Sequence, residues 1–482
     1  MTLLQPVVHG RHRGLWIEEA FGVAGEQTSP PSQNLTEQLK ADVCVIGGGY
    51  TGLWTALRLK ELEPTLDVVV LEADHCGSGA SGRNGGFVLS WWSKLRTLIK
   101  LCGEEEGLRL ARAAEAAVPA IGRFCEKNGI DAHFSAGGWL WAATSSLHLG
   151  AWDATVSACE ERGLDVFTRL APAEVTARAG SPIHLGGVWE RAAATVQPAL
   201  LAGGLRRVAA ARGIRIFENT PVASLTRYGS VLATTPAGSV TASAVVLAIN
   251  AWAASLPELR RAILPMSSDV IATVPNPDHL PEIGWTGGES ISDTRMMVHY
   301  YRTTRNGRIV FGRGGEAHGF LGRVPRSLEV VGERASRTER GFHRAYPMLT
   351  EVAVSHAWTG AVDRSEAGLP FFGELREVPG VHYGVGFSGN GVGPAWLAGR
   401  ILASRALGRR DVWTEHRLNH GPCSTFSPDP VRYFGGILVR EAIRREERAA
   451  DLGRPVGDIA RAFINLAPAG VRKGAAPAEK PE

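Results

Sequence analysis

The stretch ADVCVIGGGYTGLWTALRLKELEPTLDVVVLEAD, residues 41–74, decides the fold. An uninterrupted apolar run leads into a group of glycines, a segment with apolar residues at helical spacing follows, and DVVVLEAD supplies a second apolar run. Continuous apolar strands are typical of a parallel sheet that helices cover on both faces. The segment therefore predicts a βαβ unit at the centre of an α/β fold.

The glycines between the first strand and the helix have the spacing G-x-G-x-x-G, which is typical of a dinucleotide site. Gly47 permits the tight turn, Gly49 leaves room for a pyrophosphate, and Gly52 lets helix and strand approach closely. The helix N-terminus offers amides and partial positive charge to phosphates. Glu72, at the end of the second strand, can accept hydrogen bonds from ribose hydroxyls and would repel a 2′-phosphate, which disfavours NADP. A glycine turn without a ligand is the alternative.

A second G-x-G-x-x-G occurs near the C-terminus, at Gly384, Gly386 and Gly389. No second strand follows it, and the position that should be acidic is occupied by Arg409 and Arg410. We therefore expect no separate nicotinamide site.

The loop GSGASGRNGGF, residues 77–87, follows directly after the acidic residue and contains five glycines. Turn formation alone explains one or two glycines. The composition favours a backbone held close to a planar or phosphorylated ligand, with a long flexible loop as the alternative.

Composition excludes several classes of protein. A chain of 482 residues with 44% hydrophobic residues can bury the core of two domains. The 52 basic and 48 acidic residues nearly balance, so nucleic acid is not an expected partner. Six widely spaced cysteines without a CxxC pair suit a reducing cytoplasm. We expect no membrane span, because no apolar run approaches about 20 residues, and the absence of G-x-S-x-G removes the simplest hydrolase interpretation.

Taken together, these blocks resemble the FAD-dependent oxidoreductases of the D-amino-acid oxidase type, and within them the bacterial branch related to γ-glutamylputrescine oxidase and to glycine and sarcosine oxidases. The likeness covers about residues 14–410. Besides the blocks above, it rests on TVQPALLAGGL, NTPV before VVLAINAW, YYRTTRNGRIVFG, and WTGAVDRSEAGLPFFG followed by GFSGNGVGPAW.

The resemblance implies oxidation of a carbon–nitrogen bond in a small amine or amino acid, by hydride transfer to flavin N5, which gives an imine that hydrolyses. Oxygen or an electron-transfer partner would reoxidise the flavin. Two other functions stay open: a flavin-holding subunit of a larger complex, and a flavin monooxygenase.

The resemblance also implies the residues that bind FAD. The ADP half would be held by Gly47, Gly49, Gly52 and Glu72, with the backbone of Val222 against the adenine. The pyrophosphate and the flavin edge would be lined by Ser81, Gly82, Arg83, Asn84, Gly85 and Gly86. A helix N-terminus would be presented to the flavin pyrimidine by Gly389, Asn390, Gly391 and Val392.

Relatives that attach FAD covalently use a His in the loop after the second strand or a Cys near the C-terminal block. Residues 77–87 and 384–396 contain neither residue type, so we expect FAD to be bound non-covalently. Cys76, one residue before the loop, is the nearest thiol, and a small buried hydrophobe is the commoner role for such a residue.

Candidates for the substrate pocket come from strand and aromatic positions. Tyr300 and Arg302 should share one face of a strand. Arg302 could clamp a carboxylate bidentately, and the alternative is an ion pair with an acid such as Asp293 or Glu316.

Three tryptophans are further candidates. Trp91 and Trp92 follow the glycine-rich loop and could wall an amine pocket through cation–π contact, and Trp358 precedes Thr-Gly in the next block. Core packing is the commoner fate of tryptophan.

The C-terminal part offers two weaker signals. His416, His420 and Cys423 have spacing suggestive of metal ligands, but a fourth ligand is missing, so no metal is expected. The basic amphipathic helix at 432–453 could touch an anionic membrane surface, although packing on the main body is the simpler interpretation.

The domain organisation is predicted to be discontinuous, because apolar strands of the first sheet recur along the chain. A Rossmann-type FAD-binding domain would interleave with an α+β substrate domain of antiparallel sheet and helices, followed by a helical C-terminal extension. The predicted segments are an N-terminal arm at 1–40, the FAD-binding domain at 41–98, 186–260 and 355–410, the substrate domain at 99–185 and 261–354, and the extension at 411–482 with a disordered end, GAAPAEKPE.

Overall fold

A computed structural model describes residues 2–3, 14–22, 33–454 and 457–467. The predicted disordered end, 474–482, lies outside the described residues. In chain order the strands are β1 Thr2–Leu3, β2 Gln38–Ile46, β3 Val68–Leu71, β4 Phe87–Val88, β5 Trp139–Ala142, β6 Phe167–Leu170, β7 Gly187–Glu190, β8 Ala194–Thr195, β9 Arg215–Phe217, β10 Ser224–Tyr228, β11 Ser230–Thr234, β12 Ser239–Leu247, β13 Ile263–Thr273, β14 Ser290–Asp293, β15 His299–Thr303, β16 Ile309–His318, β17 Val354–Ser365, β18 Phe371–Glu374 and β19 Val381–Val385. The helices are α1 Leu15–Phe21, α2 Tyr50–Leu62, α3 Leu95–Cys102, α4 Glu104–Lys127, α5 Asp153–Glu160, α6 Pro172–Ala179, α7 Pro198–Ala211, α8 His279–Glu282, α9 Arg334–Ala345, α10 Val392–Ala406, α11 Val431–Asp451 and α12 Asp458–Ile464.

The first sheet contains the predicted βαβ unit. Strand β2 lies between β12 and β3 and runs parallel to both, with Val43 opposite Val68, and α2 makes the crossover. The sheet order is β1-β10-β11-β12-β2-β3-β9, and β19 joins β12 in parallel while β18 pairs with β19. Helices on the faces bury the apolar strands, as the continuous hydrophobic runs predict. The α/β class is confirmed.

The second sheet has the order β17-β13-β16-β15-β14-β5-β7-β6 and is antiparallel except for the β14–β5 pair. Two of its strands, β7 and β17, come from segments that the predicted boundaries assign to the FAD-binding domain. Helix α4, predicted in the substrate domain, shares the first hydrophobic core with α2 and α10. The apolar pattern of an element predicts that it is buried, but not against which sheet.

The predicted N-terminal arm, 1–40, contributes to the folded core, and β2 begins within it at Gln38. Helix α1 buries Leu15, Trp16 and Ile17, which pack with a group from α7 and the second sheet that includes Trp358. A run of three adjacent apolar residues is too short to stand out in a polar stretch, yet it covers one face of the second sheet.

The C-terminal extension packs on the main body. Leu418 belongs to the first core, while α11 places Ala442 and Ile443 against Met297 of the second domain. None of the described helices is long and apolar enough to cross a membrane. Within the described ranges no group of three or more His, Cys, Asp or Glu residues could hold a metal ion.

Candidate active site

The glycine turn between β2 and α2 is shaped by three steric requirements. Gly47 has φ +110°, and a Cβ there would lie 2.4 Å from the carbonyl oxygen of Ala248. A Cβ at Gly52 would lie 1.9 Å from Gly47 O, and one at Gly49 would lie 2.8 Å from Ser81 Oγ. The turn brings the N-terminus of α2 to the edge of the sheet, where amide groups favour anionic ligands.

Glu72 follows β3 and closes the turn from the other side. Its Oε2 accepts a hydrogen bond from Gly48 N at 2.6 Å, and its Oε1 accepts one from Asp74 N at 3.0 Å. Burial raises the pKa of Glu72, although these two amides oppose the shift. The side chain lines a cavity, and each carboxylate oxygen has a second lone pair with which to accept a hydrogen bond.

The glycine-rich loop, residues 77–87, is held by its own side chains. Ser81 Oγ accepts from Tyr50 N at 2.9 Å, and Asn84 Nδ2 donates to Ala80 O and Ser81 O at 3.0 and 2.9 Å. Arg83 Nε donates to Ser78 O at 2.7 Å. These bonds fix the loop against the N-terminus of α2, which argues against the flexible-loop interpretation.

Two adjoining cavities run along these elements. The first, of about 140 Å³, is lined by Gly47, Gly49, Glu72 and Val222, among others. The second, of about 630 Å³, lies between the two sheets. Both are lined by Tyr50, Thr51, Ala80, Ser81, Asn250 and Phe387. Together they form one elongated space that begins at Glu72 and ends at the N-terminus of α10.

The far end of this space is the start of α10. Gly389, Asn390, Gly391 and Val392 line the larger cavity, and the helix begins at Val392. Asn390 Nδ2 donates to Ser90 O at 3.0 Å, while among the described residues its buried Oδ1 has no partner. The helix N-terminus favours negative charge at this end.

The second sheet supplies the opposite wall. Tyr300 lines the larger cavity, with its hydroxyl 2.7 Å from Ser268 Oγ. Trp139 and Trp141 stack with ring centroids 5.5 Å apart and also line it. Trp139 Nε1 donates to Ser292 Oγ at 3.1 Å, which fixes the orientation of the pair. The sequence indicated Tyr300 but missed the tryptophan pair.

The structure gives Trp91, Trp92 and Trp358 core positions outside the lining of either cavity. Trp91 and Trp92 belong to the first core, and Trp92 Nε1 donates to Glu115 Oε2 at 3.0 Å. Trp358 donates to Arg83 O at 2.8 Å and packs edge-on against Trp16. The aromatic wall is therefore built from a different pair of tryptophans.

Arg302 adopts neither of its two predicted roles. Its side chain is buried, donating to the carbonyl oxygens of Val196 and Thr303 at 2.5 and 3.0 Å, and its guanidinium lies 5.6 Å from the ring centroid of Trp16. It lines neither cavity and pairs with neither Asp293 nor Glu316. Burial lowers the pKa of Arg302 to about 10.

Gly52, Gly82 and Gly86 also stand outside the cavity lining. A Cβ at Gly82 would meet Gly77 O at 2.4 Å, and one at Gly86 would meet Val196 O at 2.1 Å. These glycines permit close backbone packing, whereas Arg83, Asn84 and Gly85 face the larger cavity.

A basic rim on the larger cavity was not predicted. Lys94, Arg96 and Lys100 line it from α3 and the turn before it. Asp363 also lines it, accepts from Gly386 N at 2.6 Å, and has its pKa raised to about 6 by burial. The spacing of Arg96 and Lys100, four residues apart on a helix, was the available signal.

The lining of this elongated space fits an extended dinucleotide with a flavin at the inter-sheet end. It consists of the glycine turn, the acidic residue after the second strand, the fixed loop and the N-terminus of α10. These features are typical of a dinucleotide-binding protein whose site lies between two sheets. Residues 42–405 match the family described as "DAO: FAD dependent oxidoreductase". The chain belongs to this family, and it is an FAD-dependent oxidoreductase.

Two curated relatives span most of the chain. It is 32% identical over 376 residues to "Probable oxidoreductase OrdL" of Rhizobium meliloti (strain 1021), covering 77% of this chain and 84% of the relative. It is 30% identical over 393 residues to "Gamma-glutamylputrescine oxidoreductase" of Escherichia coli (strain K12), covering 81% and 89%.

A solved structure supports the fold. Glycine oxidase from Geobacillus kaustophilus superposes with a TM-score of 0.64 at 20% identity, covering 78% of this chain and 96% of that one.

Proposed function

We propose that the protein oxidises a carbon–nitrogen bond in a small amine or amino acid. The observation that carries this proposal is the cavity of about 630 Å³ between the flavin end of the nucleotide site and the aromatic wall of the second sheet. The names of the relatives, a gamma-glutamylputrescine oxidoreductase and glycine oxidases, support an amine or amino-acid substrate.

In this proposal the backbone holds most of the cofactor. The turn at Gly47 and Gly49 with the N-terminus of α2 would hold the pyrophosphate, Glu72 would accept hydrogen bonds from the ribose hydroxyls, and Val222 would border the adenine. The loop residues Ser81, Arg83, Asn84 and Gly85 would border the flavin.

When bound, FAD supplies the acceptor for the hydride. The protein orients the amine and excludes water: Trp139 and Trp141 would border the amine, and Tyr300 is held by Ser268. The N-terminus of α10 would favour negative charge at the pyrimidine end of a bound flavin. The amine enters with its nitrogen unprotonated, so no side-chain base is required, and water hydrolyses the imine product.

We further propose that the basic rim binds a carboxylate of the substrate. The guanidinium of Arg302 donates its hydrogen bonds to backbone carbonyls beneath α1. If the substrate is an amino acid, another cation must therefore bind its carboxylate. Arg96 lines the cavity and forms no ion pair with any described residue. An arginine fork can bind a carboxylate through two parallel hydrogen bonds.

The proposal is tested by anaerobic bleaching of the flavin with a panel of amines, N-methyl amino acids, aminophosphonates and D-amino acids. At least one class is expected to bleach it, and admitting air then separates an oxidase from an enzyme that needs an electron-transfer partner. If no amine bleaches the flavin, a flavin-holding subunit is the better interpretation. Consumption of NADPH would instead indicate a monooxygenase.

Arg96→Gln tests the rim separately. We expect KM for a carboxylated amine to rise about tenfold to a hundredfold, the loss of about 1.4–2.8 kcal/mol in a charged contact. KM for an amine without a carboxylate should change less than twofold, and Arg112→Gln on α4 is the matched control. Equal increases for both substrates would contradict the assignment.

Non-covalent attachment is also part of the proposal. Cys76 is buried, lines neither cavity, and has its pKa raised well above the usual range by burial, so its thiol stays protonated. Acid precipitation should leave the yellow colour in the supernatant. Colour retained in the pellet, and then in one peptide after digestion, would overturn this point.

We also propose that the protein is cytoplasmic. All six cysteines are free thiols, which supports the reducing cytoplasm as its compartment.

A further inference from the structure

A second large cavity lies far from the glycine turn, between the second domain and the C-terminal extension. We call it the arginine cleft; its volume is about 370 Å³. The cleft is lined by Arg295, Arg313, Glu316, Arg337, Arg340, Gly341, Arg344, Glu441, Arg444, Glu447, Arg448 and Asp451. One side comes from β16 and α9, and the other from α11, which lies beyond the residues matched by the family.

The charges of the arginine cleft do not balance. Seven of its lining residues are arginines and four are carboxylates, an excess of three positive charges. Asp293, which lies 3.4 Å behind Arg295, reduces the excess to two. Arginine does not lose its charge in proteins, so the excess persists at every physiological pH.

The acids in the cleft are already engaged. Glu316 accepts from Arg337 and Arg444 at 2.9 and 2.5 Å, and Asp451 pairs with Arg295 at 2.5 Å and with Arg344. Burial opposes ionisation of Glu316, but the surrounding arginines outweigh it and lower its pKa. The acids have little capacity left for the remaining cations.

Three guanidinium groups retain free donors. Among the described residues no carboxylate lies within ion-pair distance of Arg340 or Arg448, which are exposed at the mouth of the cleft. At the other end, the side chain of Arg295 is 1% exposed, yet its Nη1 has no hydrogen-bond partner among the described residues. A buried charged donor without an acceptor is costly, and an oxyanion in the cleft would satisfy it.

We propose that the arginine cleft binds a small polyanion that carries two or more phosphate or carboxylate groups. Guanidinium forks bind both groups bidentately. A buried donor on Arg295 and exposed donors on Arg340 and Arg448 fit a ligand with more than one anionic group, and the cleft volume exceeds what a single oxyanion fills. The site is independent of the amine-oxidising function proposed above.

The position of the cleft connects the extension to the substrate cavity. Arg295 lines the cleft, while Met296 and Val298 line the larger cavity of the active site. Met297 between them donates its backbone N–H to Glu447 of α11 at 3.0 Å. A ligand in the cleft would therefore brace the segment that borders both spaces.

The test is calorimetric titration of the FAD-loaded full chain with pyrophosphate and, separately, with citrate, at constant ionic strength. The two probes distinguish a phosphate ligand from a carboxylate ligand, and saturable binding of either supports the proposal. The double variant Arg340→Gln/Arg448→Gln should bind the probe at least tenfold more weakly. Both residues are exposed, so the variant should unfold at the same temperature as the parent in the absence of probe.

The matched control is Arg112→Gln/Arg123→Gln on α4, which removes the same charge at a distance from the cleft and should change affinity less than twofold. No saturable heat with either probe would overturn the proposal. Equal weakening in the cleft and control variants would also overturn it, because it would indicate attraction by net charge alone.

Discussion

The two ends of the elongated active-site space are built in different ways. At the nucleotide end, residues of one segment, 41–87, form the turn, the acid and the loop, and residues within 220–222 and 248–252 add to the lining. At the substrate end, Trp139, Tyr300 and Arg96 come from segments far apart in the chain, and side chains provide the surface. One stretch of sequence encodes the turn, the acid and the loop of the first end, whereas the second end exists only after the sheet has assembled.

The largest effect on FAD binding is expected at the glycine turn, where backbone atoms are in close contact. Gly52→Ala would place a Cβ 1.9 Å from Gly47 O, a contact that neither α2 nor β2 can relieve without separating. We expect loss of FAD binding by more than a hundredfold, or no folded protein, measured by flavin absorbance and circular dichroism. Gly435→Ala on α11 meets no atom within 4 Å and should leave FAD occupancy unchanged. Full FAD occupancy in Gly52→Ala would contradict the claim that the nucleotide end depends on this close backbone contact.

Arg302 tests whether a polar strand residue near the cavity belongs to the substrate end. Because it donates to the buried carbonyls of Val196 and Thr303, Arg302→Met should lower the free energy of unfolding by about 2–4 kcal/mol. KM for the substrate should change less than twofold in the folded fraction. Urea unfolding and steady-state kinetics on the same preparation separate the two effects. A tenfold higher KM with unchanged stability would return Arg302 to the substrate site.

The sequence predicted the nucleotide end well because its signals are local. The spacing of Gly47, Gly49 and Glu72 specifies strand, turn and helix within one segment, and the structure brings all three to one cavity. The helix start at Asn390–Val392 could also be identified, from a glycine-rich turn before an apolar helix. The roles assigned to these residues in FAD binding stay predictions.

The substrate end was harder for a physical reason. Alternation along β15 correctly indicates that Tyr300 and Arg302 share a face, but it does not say what covers that face. Helix α1 covers Arg302 with Trp16, while Tyr300 remains at the cavity. No periodic pattern in the sequence indicates that α1 docks on the second sheet. None indicates that Trp139, and not Trp91, lines the cavity.

Glu72→Ala should produce a smaller effect at the nucleotide end than the glycine substitution. It removes an acceptor for the ribose but leaves the turn, so FAD should bind more weakly by about 1–3 kcal/mol. Dissociation constants measured by fluorescence after dialysis provide the test. Glu72→Gln keeps one acceptor oxygen and should lie between the parent and the Ala variant. Unchanged occupancy in Glu72→Ala would remove the ribose contact from the proposal.

The smallest effect is expected from Glu190→Gln at pH 5, at a buried position outside the lining of both cavities. Glu190 ends β7 and is 1% exposed, and its Oε1 accepts from Ser90 Oγ at 2.5 Å. Burial raises the pKa of Glu190 to about 8, so the folded protein keeps this carboxyl protonated between about pH 4.5 and 8 while the unfolded chain releases the proton.

Since the folded state binds the extra proton, the stability of the parent protein falls as pH rises through that window. Glutamine has nearly the same shape and no charge, so the variant should match the parent within about 1 kcal/mol at pH 5. At pH 8 it should be more stable than the parent, by at most about 4 kcal/mol, because only the unfolded parent gains free energy by releasing the proton. Urea unfolding at both pH values measures the difference. An identical difference at pH 5 and pH 8 would mean that Glu190 is ionised in the folded protein, and the end of β7 would then hold a buried charge in place of a neutral carboxyl.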